Sequence, residues 1–184
     1  DLNQYCVDYE MNIKNAGGLD FQLLGIGRTG HVGFNEPGSH INSGTRIITL
    51  DHITRVDASS DFNGIDNVPK RAITMGVSTI LRAKRIILMA WGSNKAEVIK
   101  RTIQGDISSE IPATFLQNHE NTTFVLDQSA ASELTRFKTP WLVGECIWTQ
   151  ELKCKAIVWL CHKTDQSILK LTDRDYNHNC MSDL

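Results

Sequence analysis

Short apolar runs closed by glycine or polar residues alternate along this chain with stretches of helical character. Phe21-Gln22-Leu23-Leu24 ends at Gly25 and predicts a buried strand. Thr45-Arg46-Ile47-Ile48-Thr49-Leu50 is dominated by β-branched residues and predicts a second. Residues 72–76 predict a third. Arg85-Ile86-Ile87-Leu88-Met89-Ala90-Trp91 is the clearest buried strand, closed by Gly92 and Ser93, and Thr122–Leu126 is another. Helices are expected over 1–16, after a capping Asp51, over one or two turns of 77–83, over 94–104 up to Gly105, and near 128–135. Residues 26–44, rich in Gly, Asn, Ser and Pro, predict a long loop, and Pro69 marks a break. This rhythm predicts an α/β fold: an open, largely parallel sheet flanked by helices, with right-handed connections.

The tail has a different pattern. Three of the four tryptophans lie in residues 140–184. Residues 149–163 predict an amphipathic helix with Leu152, Ala156, Trp159 and Leu160 on one side. Ile168–Leu171 predicts a short strand or turn, and Asp173–Asn177 a polar loop. The expected division is residues 1–139 as one α/β unit and 140–184 as a helical tail or linker.

Composition narrows the function classes. The 184 residues are 41% hydrophobic and 22% charged, with a formal net charge of −2, which supplies a core but no basic face for a nucleic acid. No apolar run is long enough for a membrane helix. The five cysteines are odd in number, and none forms a Cys-x-x-Cys pair, so reduced thiols in a cytoplasmic setting are expected, without a metal site. The polar opening Asp1-Leu2-Asn3-Gln4-Tyr5 lacks an initiating Met and is expected to be an internal start; Met181-Ser182-Asp183-Leu184 reads as an equally abrupt stop.

The chemistry concentrates after the first strand. Gly25-Ile26-Gly27-Arg28-Thr29-Gly30 spells G-x-G-x-x-G, and Asp51 follows at about 20 residues, the spacing of a dinucleotide fingerprint. That reading needs a helix opening at the glycines, and Gly33, Pro37 and Gly38 deny one. The loop instead leaves the C-terminal end of a strand, where open α/β sheets place ligands. It holds His31, Asn35 and Glu36 within six residues. Imidazole titrates near neutrality, and a carboxylate beside it can orient it, so the pair suits proton transfer to and from a sugar ring oxygen. A turn in which His31 only hydrogen-bonds backbone fits the residues equally.

The run Leu24-Gly25-Ile26-Gly27, continued by Gly30-His31-Val32-Gly33-Phe34-Asn35-Glu36-Pro37, resembles the signature of glucosamine-6-phosphate deaminases. The resemblance continues in Thr45–Leu50, in Val68–Gly76 and in Gly92-Ser93-Asn94-Lys95, covering roughly residues 1–135. It implies a Rossmann-like domain, incomplete here, that opens the ring of glucosamine 6-phosphate, isomerises it and expels ammonia to give fructose 6-phosphate. On that resemblance His31 is the ring-opening acid/base and Glu36 its carboxylate partner. Gly30, Asn35 and Lys95 are substrate-binding positions, with Lys95 holding the phosphate at a helix start. Arg46 matches a position associated with the family's allosteric ligand, and reads equally as a salt-bridged strand arginine; Thr49 shares the allosteric or structural reading. No cofactor and no metal are implied. The expected partner is a small-molecule amino-sugar phosphate, with no nucleic acid or membrane, and a homo-oligomer is compatible with the pattern.

The departures are specific. Thr29 stands where the family has Asp before Gly-His, which removes an anionic member of the His31 relay. Ser60 stands near the place of a second phosphate-binding arginine, and Ile48 replaces a lysine of the allosteric pocket. The family's Ser-Gly-Gly-Thr phosphate loop and its acidic motif, whose Asp abstracts the C2 proton, are absent, so the chain alone is expected to be inactive. The tail from Trp141 through Thr172 resembles a subgroup in which a deacetylase-like domain follows. The alternatives are a phosphogluconolactonase-like hydrolase, whose loop usually continues Ala-Ser-Leu-Phe-Pro rather than Phe-Asn-Glu-Pro, and a non-catalytic sugar-phosphate sensor.

Overall fold

The structure, a computed structural model, describes residues 1–184. The chain forms two compact units, Asp1–Ser132 and Glu133–Leu184.

In the first unit the apolar runs become strands β1 (Phe21–Leu24), β4 (Arg85–Ala90) and β5 (Thr122–Leu126). They pair in parallel in the order β1-β4-β5, with Leu24 opposite Leu88 and Ala90 opposite Leu126. Strand β4 is central, and its Ile86, Leu88 and Ala90 are buried with Ile80, Val98, Ile99 and Leu116 in the core. Strand β1 lies at the margin of the sheet, and its Phe21 and Leu23 are 49% and 55% exposed.

Two of the expected strands stand apart. Strands β2 (Arg46–Thr49) and β3 (Arg71–Thr74) form a separate antiparallel pair, with Arg46 opposite Thr74 and Thr49 opposite Arg71. An antiparallel pair needs no crossover helix, so α2 (His52–Ala58) between them is free to turn elsewhere. Asp51 caps α2 as expected, accepting the amide of Ile53 at 2.7 Å. The third strand starts one residue earlier than the pattern suggested and ends at Thr74 rather than 76, because Gly76 already caps α3 (Val77–Leu81). Helix α4 (Ala96–Gln104) stops at Gly105, but with φ −85° rather than the left-handed conformation that glycine usually supplies there. The helix expected near 128–135 ends early as α5 (Gln128–Ala131).

Helix α1 (Leu2–Asn15) is tied to the unit through one carboxylate. Glu10 Oε1 accepts from the Thr45 amide at 2.8 Å and from the hydroxyls of Thr45 and Thr79, while Oε2 accepts from Arg82 at 2.8 Å. Burial alone would raise the Glu10 carboxyl, but these donors outweigh it and hold the pKa below the ordinary value.

The second unit contains α6 (Thr135–Lys138), α7 (Gln150–Thr164) and α8 (Asp173–His178). Helix α7 buries Ala156 and Leu160 with Trp141 and Met181, and Leu152 and Trp159 pack against that cluster. Trp141 meets Trp159 edge-on at 5.5 Å between ring centroids and stacks on Trp148 at 6.1 Å. Ile168–Lys170 is a single 3-10 turn. The expected polar loop at 173–177 is instead α8. Its start is fixed by Asp175, whose carboxylate accepts from the Thr172 amide at 2.8 Å and the Thr172 hydroxyl at 2.7 Å. No helix of either unit is long and apolar enough to cross a membrane.

Candidate active site

The loop after β1 is held open by one buried side chain. Asn35 is fully buried; its Nδ2 donates to the carbonyls of Val32 at 2.9 Å and Met75 at 2.8 Å, and its Oδ1 accepts from Arg46 at 2.9 Å. Both polar atoms of that amide are engaged by the protein, so Asn35, expected among the substrate ligands, here ties the loop to Met75, just past β3, and to Arg46. Gly30, the other glycine-loop residue expected at the substrate, is fixed by its backbone. It takes φ +80°, its carbonyl accepts from Ala113 at 2.9 Å, and a Cβ there would run into Ile111. No helix opens at the glycines before the chain reaches β2, which leaves no amide terminus for a dinucleotide.

His31 lines a cleft of about 430 Å³ together with Gly25, Gly27, Thr54, Asp57 and Lys95. Its Nδ1 faces three side-chain oxygens rather than backbone: Thr29 Oγ1 at 3.0 Å, Glu36 Oε2 at 3.2 Å and Thr54 Oγ1 at 3.4 Å. Glu36 Oε2 is buried, and its approach to the ring is that of an ion pair without hydrogen-bond alignment; Oε1 accepts from the Asp51 amide at 3.3 Å. Thr29 thus fills the contact of the missing acid with a neutral hydroxyl. With Nδ1 so enclosed, Nε2 makes no hydrogen bond to the protein and is the nitrogen left for a ligand. Gly27 allows this: a Cβ there would collide with the imidazole.

Lys95 closes the cleft from the other side. It stands at the N-cap of α4, and its ammonium donates to the Ile26 carbonyl at 2.9 Å. Burial pulls the Lys95 pKa below the usual lysine value; Asp57 opposes that shift and Arg28 adds to it. Arg28 itself is paired with Asp57, its Nε donating at 2.9 Å and its terminal nitrogen to the other carboxylate oxygen.

A family described as glucosamine-6-phosphate isomerases/6-phosphogluconolactonase matches residues 1–125. The chain belongs to this family. A deaminase-like protein of Bacteroides thetaiotaomicron is 53% identical over 181 residues, 98% of this chain and 27% of that one. The glucosamine-6-phosphate deaminase of Oceanobacillus iheyensis is 45% identical over 135 residues, 73% of this chain and 54% of the enzyme. A solved monomeric glucosamine-6-phosphate deaminase is 46% identical with a TM-score of 0.71, over 72% of this chain and 55% of that one. It shares the α/β architecture of a parallel sheet flanked by helices. The chain therefore spans about half the length of these deaminases and about a quarter of the Bacteroides protein.

Within this isomerase-family chain the remaining expected residues sit around a second hollow of about 390 Å³, lined by Glu36, Ser39, Arg46, Ile48 and Thr49. Arg46 is not a salt-bridged arginine: it donates to the neutral oxygens of Asn35 and Ser39, each at 2.9 Å, and to no carboxylate. Thr49 ends β2 and is exposed. Glu36 touches His31 from this second hollow. A further hollow of about 700 Å³ lies against α1, and its one carboxylate, Glu10, is fully engaged. No group of three His, Cys, Asp or Glu side chains could hold a metal ion.

Thr54 and Asp57 escape a reading of the sequence. Their i, i+3 spacing puts both on one face of α2. Which face meets the His31 loop is decided only by how α2 leaves the β2–β3 pair.

Proposed function

We propose that this chain supplies the ring-opening and phosphate-holding part of an amino-sugar-phosphate deaminase, acting on glucosamine 6-phosphate to release fructose 6-phosphate and ammonia. The observation that carries the reading is the shared cleft of His31 and Lys95, with Nδ1 enclosed and Nε2 left open. In this reading Nε2 moves a proton to and from the ring oxygen, Glu36 and Thr29 orient the imidazole, and Lys95 holds the phosphate. The isomerisation requires a further base at C2, for which the cleft offers no placed carboxylate beyond the Arg28-bound Asp57. The purified 184-residue chain is expected to release no ammonia from glucosamine 6-phosphate, and measurable turnover in a coupled ammonia assay would refute this division of labour.

Lys95 gives the phosphate role a signature in pH. Inorganic phosphate stays a dianion through the alkaline range, so loss of binding there reports the lysine. Affinity should fall as pH rises through a pKa below the ordinary 10.5, because burial favours the neutral amine. A phosphate titration flat up to pH 11 would remove Lys95 from this role.

The likeness to the Bacteroides protein runs over 181 residues, whereas the Oceanobacillus deaminase match runs over 135. This supports residues 140–184 as a helical linker after a deaminase-like domain of residues 1–139. A downstream deacetylase-like domain extends the same reading.

A further inference from the structure

The Arg28–Asp57 pair sits at the cleft without a role in the chemistry above. Asp57 lines the cleft beside Lys95, and its carboxylate holds the Arg28 guanidinium through both oxygens. Both side chains are half exposed, at 48% and 43%. Exposed pairs of this kind add little to stability, so separating them is cheap. Lys95 lies close enough to feel both charges. Asp57 and Lys95 line the cleft, and Arg28 stands just outside its lining, tied to it through the Asp57 carboxylate.

We propose that Arg28 is a releasable second anchor for the substrate's phosphate: a phosphate entering beside Lys95 draws the guanidinium off Asp57 and takes the carboxylate's place. This rests on the reading of the cleft as a phosphate site. Arg28 offers the fork of donors that both carboxylate and phosphate accept in two-point contact. A phosphate dianion carries the greater charge and can meet Lys95 at the same time, which Asp57 does not. Asp57 acts as an internal competitor that keeps the fork ordered and masked while the cleft is empty. Its remaining negative charge selects against weakly held anions.

The test is a titration of the 184-residue chain with inorganic phosphate at low ionic strength, followed by the NMR shifts of the Gly25, Gly27 and Gly33 amides. Arg28→Ala should raise Kd about tenfold, as should Lys95→Ala. Asp57→Asn should lower Kd about threefold or more, a gain that misfolding cannot mimic. If Arg28→Ala binds like the wild type while Lys95→Ala does not, Arg28 is no anchor and only this proposal falls. If Asp57→Asn weakens binding, Asp57 merely orients the arginine and the release step is wrong. If the wild-type chain shows no phosphate-dependent shift, both the proposal and the phosphate reading of the cleft fall.

Discussion

Gly27→Ala should lower kcat by about 100-fold in a protein spanning the full deaminase length, while leaving the thermal midpoint nearly unchanged. The three atoms nearest the new methyl group all belong to the imidazole of His31, and it would collide with each of them. A side-chain ring can swing away where backbone cannot, so the fold survives and the chemistry suffers. The displaced ring would leave its contacts with Thr29, Thr54 and Glu36, and with them the orientation that leaves Nε2 open to the cleft. His31→Ala sets the scale for the loss, since a positioned general acid–base contributes about 10²–10⁴-fold. Ammonia release and circular dichroism should be measured together. A variant within threefold of wild-type kcat would mean that His31 tolerates movement and does not transfer the proton.

Asn35→Ala should act on stability, with a loss of about 3 kcal/mol. The substitution strips donors from two carbonyls and an acceptor from Arg46, all at a site with no exposure. Arg46 already carries a desolvation burden, which lowers its pKa, and would lose one of its few acceptors. Asn35→Asp should fail as well, because it keeps the arginine contact but turns the donor end into an acceptor facing two carbonyls. Urea unfolding monitored by tryptophan fluorescence gives the number; a loss under about 1 kcal/mol would show that water satisfies these groups instead.

These two positions show where the sequence was legible and where it was not. Short apolar runs identified the parallel strands, but not their burial: β4 buries alternate residues, whereas β1, expected to be buried, buries Leu24 alone and β5 buries none, because the flanking elements cover chiefly the central strand. Helix α8 was hidden because it is short and Tyr176 is its one residue packed on the apolar cluster; its Thr172–Asp175 box was the available signal. The loop residues stood out in the sequence by type, but side-chain direction is a tertiary property. Asn35 and His31 lie four apart in one loop, yet one turns into the interior and the other toward the cleft. The same limit hid Thr54 and Asp57, whose helix was expected but whose facing was not.

Strand β1 has a partner on one side only, and its outward residues Phe21 and Leu23 are apolar and exposed. A row of open amides and carbonyls beside greasy side chains is a template on which another strand can assemble. No proline or lysine within the strand guards it against such growth. Handled by itself at high concentration, this polypeptide will therefore tend to polymerise edge to edge, and a strand laid along that margin is what would keep it dispersed.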